Sequence, residues 1–248
     1  MAYQATFQRY ESKYLLTDQQ RRILEKAMSG YMSPDHYGLT TIRNIYYDTP
    51  DHRLIRTSLE KPIYKEKLRL RSYQANPPDS PIYVEIKKKF KGIVYKRRLA
   101  MPETEAKSWL SGEPINIPST QIAREIDYFR SFYPQLTPHI FLAYDRTAWY
   151  CTSGSDLRIT FDENIRFRTQ DLQLSGNAEG HPLLPPNQVL MEIKTGGSIP
   201  LWLTQVLTQN NIFKTSYSKY GNAYLKLQKR GSKSLCSIKF SGVSSIPL

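Results

Sequence analysis

The chain is poor in the residues that build covalent or metal frameworks. It has two cysteines, Cys151 and Cys236, and four histidines in 248 residues. Two distant cysteines exclude a disulfide scaffold and a paired-cysteine metal site, and they fit a reducing compartment. His36, His52, His139 and His181 show no ligand spacing, so zinc is not expected. No run of about 18 apolar residues occurs, so no transmembrane helix is expected. From Met1 to Tyr14 there are charges where a secretory signal would have its apolar stretch. The expected location is the cytoplasm, and contact with a membrane is expected only through surface charge or a membrane-protein partner. Acids are scarce as well: 22 Asp+Glu stand against 35 Lys+Arg, a formal net charge of +13. Such an excess points to a polyanion: nucleic acid, anionic lipid or phosphate compounds. No RNP-like run, helix-turn-helix or zinc pattern accompanies it, so nucleic acid is not the expected partner.

Hydrophobic residues make up 40% of the chain and include 18 Tyr, enough to build a folded core. The length suits one β-rich domain. Residues 1–229 are read as that domain, and residues 230–248, beginning Arg230-Gly231-Ser232-Lys233-Ser234, as a flexible tail.

Helix signals are few. Thr17 and Gln20 form a capping box before an apolar stripe of Ile23, Leu24, Ala27 and Met28, with Gly30 at the C-cap position. Further helices are predicted over Glu103–Leu110, Thr120–Tyr133, Leu201–Gln209 and about Tyr217–Gln228. Strand signals are many: Ala5–Leu15, Thr41–Tyr47, Ile63–Tyr73, Ile82–Lys89, Val94–Met101, His139–Tyr150, Leu157–Glu163 and Val189–Thr195. About eight strands joined by short turns predict an α+β, mainly β chain. Its architecture would be an eight-stranded antiparallel closed β-barrel with helices packed outside. The Gly/Pro/Asn-rich stretch from Asp171 to Asn187 reads as a mobile loop.

The strands alternate strictly. In Tyr64–Tyr73, Lys65, Lys67, Arg69 and Arg71 share one face, and Leu68 and Leu70 the other. Glu85, Lys87 and Lys89 oppose Val84 and Ile86. Lys96 and Arg98 flank Arg97. Arg158, Thr160 and Asp162 oppose Ile159 and Phe161, and Glu192 and Lys194 oppose Met191 and Ile193. Arg9, Glu11 and Lys13 alternate with Tyr10 and Tyr14. Antiparallel sheets commonly carry one wet polar face, and Lys-rich strands also protect sheet edges. Six strands carrying mostly one sign argue for more, because like charges facing across strands repel. If the helices cover the apolar faces, the cations point inward, where they need water and a polyanion. A row of phosphates satisfies their donors, Arg in bidentate fashion.

Glu11, Glu85 and Glu192 stand out among these cations. They read either as ion-pair partners or as ligands for Mg²⁺ or Mn²⁺, which bridge phosphate oxygens.

The runs Arg9–Tyr14, Tyr46–Thr49, Lys67–Tyr73, Val84–Lys87, Tyr144–Arg146, Arg158–Asp162, Glu192–Lys194 and Ser218–Tyr220, in this order, resemble the triphosphate tunnel metalloenzymes. More narrowly, the chain resembles the polyphosphate polymerase (VTC) domain of the vacuolar transporter chaperone complex, in a stand-alone bacterial-type form. The resemblance implies an eight-stranded tunnel in which the γ-phosphate of ATP passes to a growing inorganic polyphosphate chain, with Mn²⁺ or Mg²⁺. It implies a catalytic set of Lys13, Arg69, Arg71, Lys87, Arg146, Arg158, Lys194 and Lys219, with Glu192 on the metal. Glu11, Lys65, Lys67, Glu85, Lys89, Lys96, Arg98 and Ser218 would line the substrate path, Ser218 and Lys219 at one mouth. Hydrolytic members of the superfamily carry E-x-E-x-K near the N-terminus. Here Arg9 replaces the first carboxylate, which favours transfer over hydrolysis. The alternatives are a tripolyphosphate or polyphosphate hydrolase on the same fold, and a non-catalytic polyphosphate- or nucleotide-binding module.

Overall fold

The structure is a computed structural model and describes residues 10–73 and 80–239, with side chains through Arg230. Eight long strands carry it: β1 (Tyr10–Thr17), β3 (Thr40–Asp48), β4 (Tyr64–Ser72), β5 (Pro81–Phe90), β6 (Ile93–Pro102), β7 (Thr137–Cys151), β8 (Arg158–Arg168) and β10 (Gln188–Thr195). Each coincides with a predicted strand. Three short ones join them: β2 (Met32–Pro34), β9 (His181–Pro182) and β11 (Lys214–Thr215). The sheet runs β11-β1-β10-β8-β7-β3-β4-β5-β6, with β2 on β7 and β9 on β8. All its pairings are antiparallel. The β5–β6 hairpin turns on Lys91 (φ 47) and Gly92 (φ 88), the paired positive φ values of a type I′ turn.

Among the described residues the ladder does not close. The outer edge of β1 pairs with β11 at Lys13 and Tyr14, and β6 ends the other side. The sheet is nevertheless rolled. β1 and β5 lie six places apart along it, roughly 29 Å if it were flat. Yet Lys87 Nζ of β5 stands 3.3 Å from Glu11 Oε2 of β1. The expected closed barrel is therefore an open, curled sheet around a bore, because β11 occupies the edge that β6 would need.

Apolar residues on the convex face meet four of the helices. Leu68, Leu70, Val84 and Ile86 pack on α3 (Glu103–Ser111) and α4 (Gln121–Phe132) through Trp109, Leu110, Ile126 and Phe129. Tyr14, Met191, Ile193, Ile159 and Phe161 pack on α1 (Asp18–Met28) and α5 (Leu201–Gln209). Burying each large side chain fully is worth about 1.5–3 kcal/mol. Thr17 caps α1 in the expected capping box, and the helix ends at Ser29 rather than on a left-handed Gly30.

The last helix departs from the expected exterior position. In α6 (Lys219–Lys239), Tyr220 and Ala223 pack against Ile42, Tyr46, Leu142 and Tyr144. Tyr46 stands opposite Arg69 in the ladder and so faces the bore. The apolar half of the concave face draws α6 inside. The helix also continues past Gln228 to Lys239, where a tail was expected. A further helix, α2 (Arg53–Leu59), had no counterpart in the sequence reading. Asp48 builds it by accepting from the backbone N–H groups of Leu54 and Ile55 at 2.8 and 3.0 Å, and it also accepts from the Tyr220 hydroxyl at 2.8 Å. The Asp171–Asn187 segment is held rather than loose. Arg168 donates to the carbonyls of Asp171, Asn177 and Glu179, and Leu174 is buried.

Candidate functional site: a charged bore

Register places the alternating charges on one concave surface. Arg69 stands opposite Glu85, and Glu85 opposite Arg98. Lys67 faces Lys87, which faces Lys96. On the other wall, Lys13 faces Glu192, which faces Thr160, and Lys194 stands between Glu11 and Arg158. Arg146 faces Asp162. The sites read from the sequence therefore meet in one space.

The carboxylates divide these cations into two nests. In the first, Glu85 is fully buried and takes Arg69 at 2.7 Å, Lys96 at 2.5 Å and Arg71 at 3.7 Å. Arg69 also donates to the Tyr46 hydroxyl at 3.0 Å, and Arg71 to Asn44 Oδ1 at 2.9 Å and to the Tyr144 hydroxyl at 3.2 Å. In the second, Glu192 meets Lys194 at 2.8 Å, Lys219 at 3.3 Å, Lys13 at 3.4 Å and Arg146 at 3.5 Å. Arg146 forks onto Asp162 at 2.5 and 2.7 Å, and Lys219 reaches the same carboxylate. Lys13 and Lys87 hold Glu11 at the entrance.

Burial and neighbouring charges set the protonation. Burial pushes the Glu192 carboxyl up, but Lys194, Lys219, Lys13 and Arg146 outweigh it and hold it well below its usual range. Glu85 is held down against burial in the same way by Arg71, Arg69 and Lys96, and Asp162 by Arg146 and Lys219. The opposite happens at Lys67. Burial, then Lys87, Lys13, Lys65 and Arg69, depress its pKa to about 7. Its Nζ donates to Ser218 Oγ at 3.0 Å. Burial and Arg71 bring Lys96 to about 8 although Glu85 pulls the other way. Cations still dominate the surface, and polar atoms on it are orphaned: among the described residues Glu85 Oε1, Arg158 Nε and Thr160 Oγ1 are buried with no hydrogen-bond partner, although Lys96 stands 2.5 Å from Glu85 Oε1 as an ion pair.

Each sequence-selected residue has a place. Lys13, Arg69, Arg71, Arg146, Lys194 and Lys219 lie in the two nests. Lys87 bridges to β1, and Arg158 lies 4.7 Å over the Tyr150 ring. Lys96 and Arg98 both face the bore, Arg98 lying 4.5 Å over the Tyr83 ring. Arg97 between them points out towards Glu125 at 3.7 Å. Lys65 and Lys89 sit farther along, at the mouth beside α6. Ser218 accepts from the Gly221 N–H at 3.1 Å and so closes the first turn of α6. Arg9 lies outside the described residues. The three glutamates do not share one point, since Glu85 belongs to the first nest and Glu11 and Glu192 to the second. Among the described residues no three His, Cys, Asp or Glu side chains converge as a metal site. For Glu85 the ion-pair reading is the one the contacts support.

The sequence reading passed over Asp162, Asn44, Tyr46 and Tyr144. Asp162 alternates with Arg158 and Thr160, so its inward position was legible, but its two buried cation partners come from β7 and α6. Asn44, fully buried between Arg43 and Ile45 on a strand whose Ile42 and Tyr46 share its face, was a polar signal of the same kind.

The fold is shared with a solved structure of low sequence identity. A candidate adenylate cyclase from Bacillus halodurans aligns at 16% identity with a TM-score of 0.51, covering 86% of this chain and 96% of its own. A Hippeastrum candidate adenylyl cyclase, described as having a dominant triphosphatase activity, aligns at 15% identity with a TM-score of 0.49, covering 86% and 93%. Comparison with curated proteins finds no match. The VTC domain matches residues 8–228, nearly the whole described chain. With its curled antiparallel sheet and charged bore, this chain belongs to the VTC domain family.

Proposed function

We propose that the protein is a metal-dependent polyphosphate polymerase, which passes the γ-phosphate of ATP to a linear polyphosphate chain lying in the bore. The observation that carries this reading is the concave face itself. Cations from seven of the long strands and from α6 converge there, with Arg158 Nε and Thr160 Oγ1 left without partners. A phosphate oxygen between them would satisfy both and offset the like-charge repulsion around Lys67.

Transfer of a phosphoryl group asks little covalent chemistry of the protein; positioning and charge stabilisation do most of it. Arg69, Arg71 and Arg146 are held rigidly by their carboxylate, amide and phenol partners, which aims their remaining donors into the bore. Lys13, Lys87, Lys194 and Lys219 supply mobile point charges around them. The acceptor would be a terminal phosphate oxygen, already anionic. The bond from the γ-phosphorus to the bridging β–γ oxygen would break as the new P–O bond forms, and ADP would leave with that oxygen. No general base is required. None is offered by the paired carboxylates: those of Glu192, Glu85 and Asp162 are held far below neutrality, which makes them weak bases. This, with Arg9 in place of a carboxylate, favours transfer to phosphate over transfer to water.

A divalent ion fits the second nest by donor chemistry. Glu192 offers hard carboxylate oxygens, and the orphaned Thr160 hydroxyl stands opposite it in the ladder. When bound, Mg²⁺ or Mn²⁺ would neutralise charge on the phosphate oxygens. Glu192 would hold it, and Lys194 and Lys219 would turn from Glu192 to phosphate.

The test is incubation of purified protein with ATP and Mn²⁺, gel analysis of the products, and a Glu192→Gln control whose Mn²⁺ binding is followed by electron paramagnetic resonance. Long polyphosphate from the parent and none from the variant is the expected result. Orthophosphate alone would make the protein a hydrolase. Polyphosphate binding without turnover would make it a binding module.

A further inference from the structure

The cationic surface does not stop where the bore ends. Lys67 and Lys87 face each other across β4 and β5, and two residues on, Lys65 faces Lys89. Beyond that pair stand Lys61 and Lys91. These four outer lysines, with Ser216 of the segment leading into α6, line an open cavity of about 400 Å³. Among the described residues no carboxylate lies within salt-bridge reach of any of them. Among the described residues Lys65 Nζ donates only to the Ser58 carbonyl, at 3.1 Å. Like charges directly opposite across two strands are destabilising, so the Lys65–Lys89 pair costs stability in the empty protein.

A second observation concerns the outer two. Lys61 and Lys91 have φ values of 56 and 47, a left-handed conformation in which lysine is uncommon and Gly or Asn more usual. Both turns thus carry a long cationic side chain where Gly or Asn would suit the backbone better, and both line the same cavity.

We infer that Lys61, Lys65, Lys89 and Lys91 form an outer phosphate subsite that continues the bore, so that the preferred ligand is a polyphosphate long enough to span both. This rests on the bore holding phosphates, and it adds the substrate's length class. A triphosphate fills the inner nests and does not reach the outer lysines. A longer chain engages them as well, and the segment beside Ser216 becomes its path out of the bore.

The experiment compares binding of inorganic tripolyphosphate and of linear polyphosphate several tens of phosphates long, per triphosphate register, to the full chain and to Lys61→Asn/Lys91→Asn. Asn suits both left-handed positions, and neither lysine belongs to the inner nests. The expected result is unchanged tripolyphosphate affinity and long-chain affinity roughly twentyfold weaker, at about fivefold per lysine. Wild-type protein should also show a steeper salt dependence for the long chain than for tripolyphosphate, a readout independent of the variant. Equal losses for both ligands, or none for either, would overturn the outer subsite while the bore reading stands. Failure of the parent to bind either ligand would instead remove the bore reading. A third arm uses vesicles of phosphatidylglycerol in phosphatidylcholine. If the double variant loses vesicle binding and keeps long-chain affinity, the lysines serve a lipid surface and the inference fails.

Discussion

Lys67 ties phosphate binding to proton uptake. Its ammonium is surrounded by Lys13, Lys65, Lys87 and Arg69, and burial with these neighbours lowers its pKa from 10.5 to about 7. A phosphate chain in the bore supplies the missing anions and returns the pKa towards its ordinary value. Binding at pH 7 should then take up about half a proton at this one site. Between pH 6 and pH 8 the protonated fraction of the empty site falls from about nine-tenths to about one-tenth, so Lys67 alone weakens binding about tenfold over that interval. The assay is isothermal titration with tripolyphosphate in buffers of different ionisation enthalpy, on the parent and on Lys67→Met. Titration of the ligand's terminal phosphate is common to both proteins and cancels in the comparison. The variant should lose the extra proton uptake and about one decade of the pH dependence. The same residue makes a stability prediction. The unfolded chain keeps the Lys67 proton up to about 10.5, whereas the folded chain releases it above about 7. Raising the pH from 7 towards 10 therefore stabilises the empty protein through this group, and Lys67→Met should flatten that rise and increase the melting temperature at pH 7. Identical proton uptake and pH slopes in the two proteins would refute the reasoning.

Other substitutions test other contacts. Asp162→Asn leaves Arg146 and Lys219 with Glu192 as their remaining carboxylate, and loss of the charged hydrogen bonds should cost about 1.5–3 kcal/mol in chemical denaturation; added tripolyphosphate should recover part of it by replacing the anion. Asp48→Ala removes two helix-start acceptors from α2 and the Tyr220 hydroxyl's partner, an expected loss of about 2 kcal/mol with early hydrogen exchange in α2 and the start of α6. Arg69→Ala/Arg71→Ala should abolish chain synthesis in the gel assay while leaving Glu85 paired with Lys96 alone.

The strands were legible because alternation is a local property. Leu68 and Leu70 between Arg69 and Arg71 declare both faces of β4 without any knowledge of its neighbours. The same rule placed Glu192 and Lys194 on one face and Met191 and Ile193 on the other. The closure of the sheet was not legible, since it depends on which strand takes the β1 edge, and β11 is two residues long. Helix α2 was hidden for a related reason. It has seven residues, its N-cap His52 is left-handed and offers no side-chain cap, and Asp48, four residues earlier, does the capping. The interior position of α6 was equally hidden. Its Tyr220 and Ala223 stripe shows that one side is buried, but not whether it faces the convex or the concave surface. Partnerships such as Glu85 with Lys96, or Asp162 with Lys219, require the register and could not be read from spacing.

If the bore holds polyphosphate as proposed, the pairing of so many of its cations has a kinetic consequence. A bore of bare ammonium and guanidinium groups would hold a polyphosphate too tightly for the chain to advance. Here Arg69, Arg146, Lys194 and Lys219 already have carboxylate partners at hydrogen-bonding distances. Binding therefore exchanges one anion for another, and only the difference between carboxylate and phosphate contributes to affinity. Each nest holds its own carboxylates, Glu85 in one and Glu192 with Asp162 in the other. A phosphate leaving one nest returns its cations to their carboxylate as the next phosphate arrives. The chain can thus move stepwise without stranding a buried charge, the condition under which such a charge becomes costly.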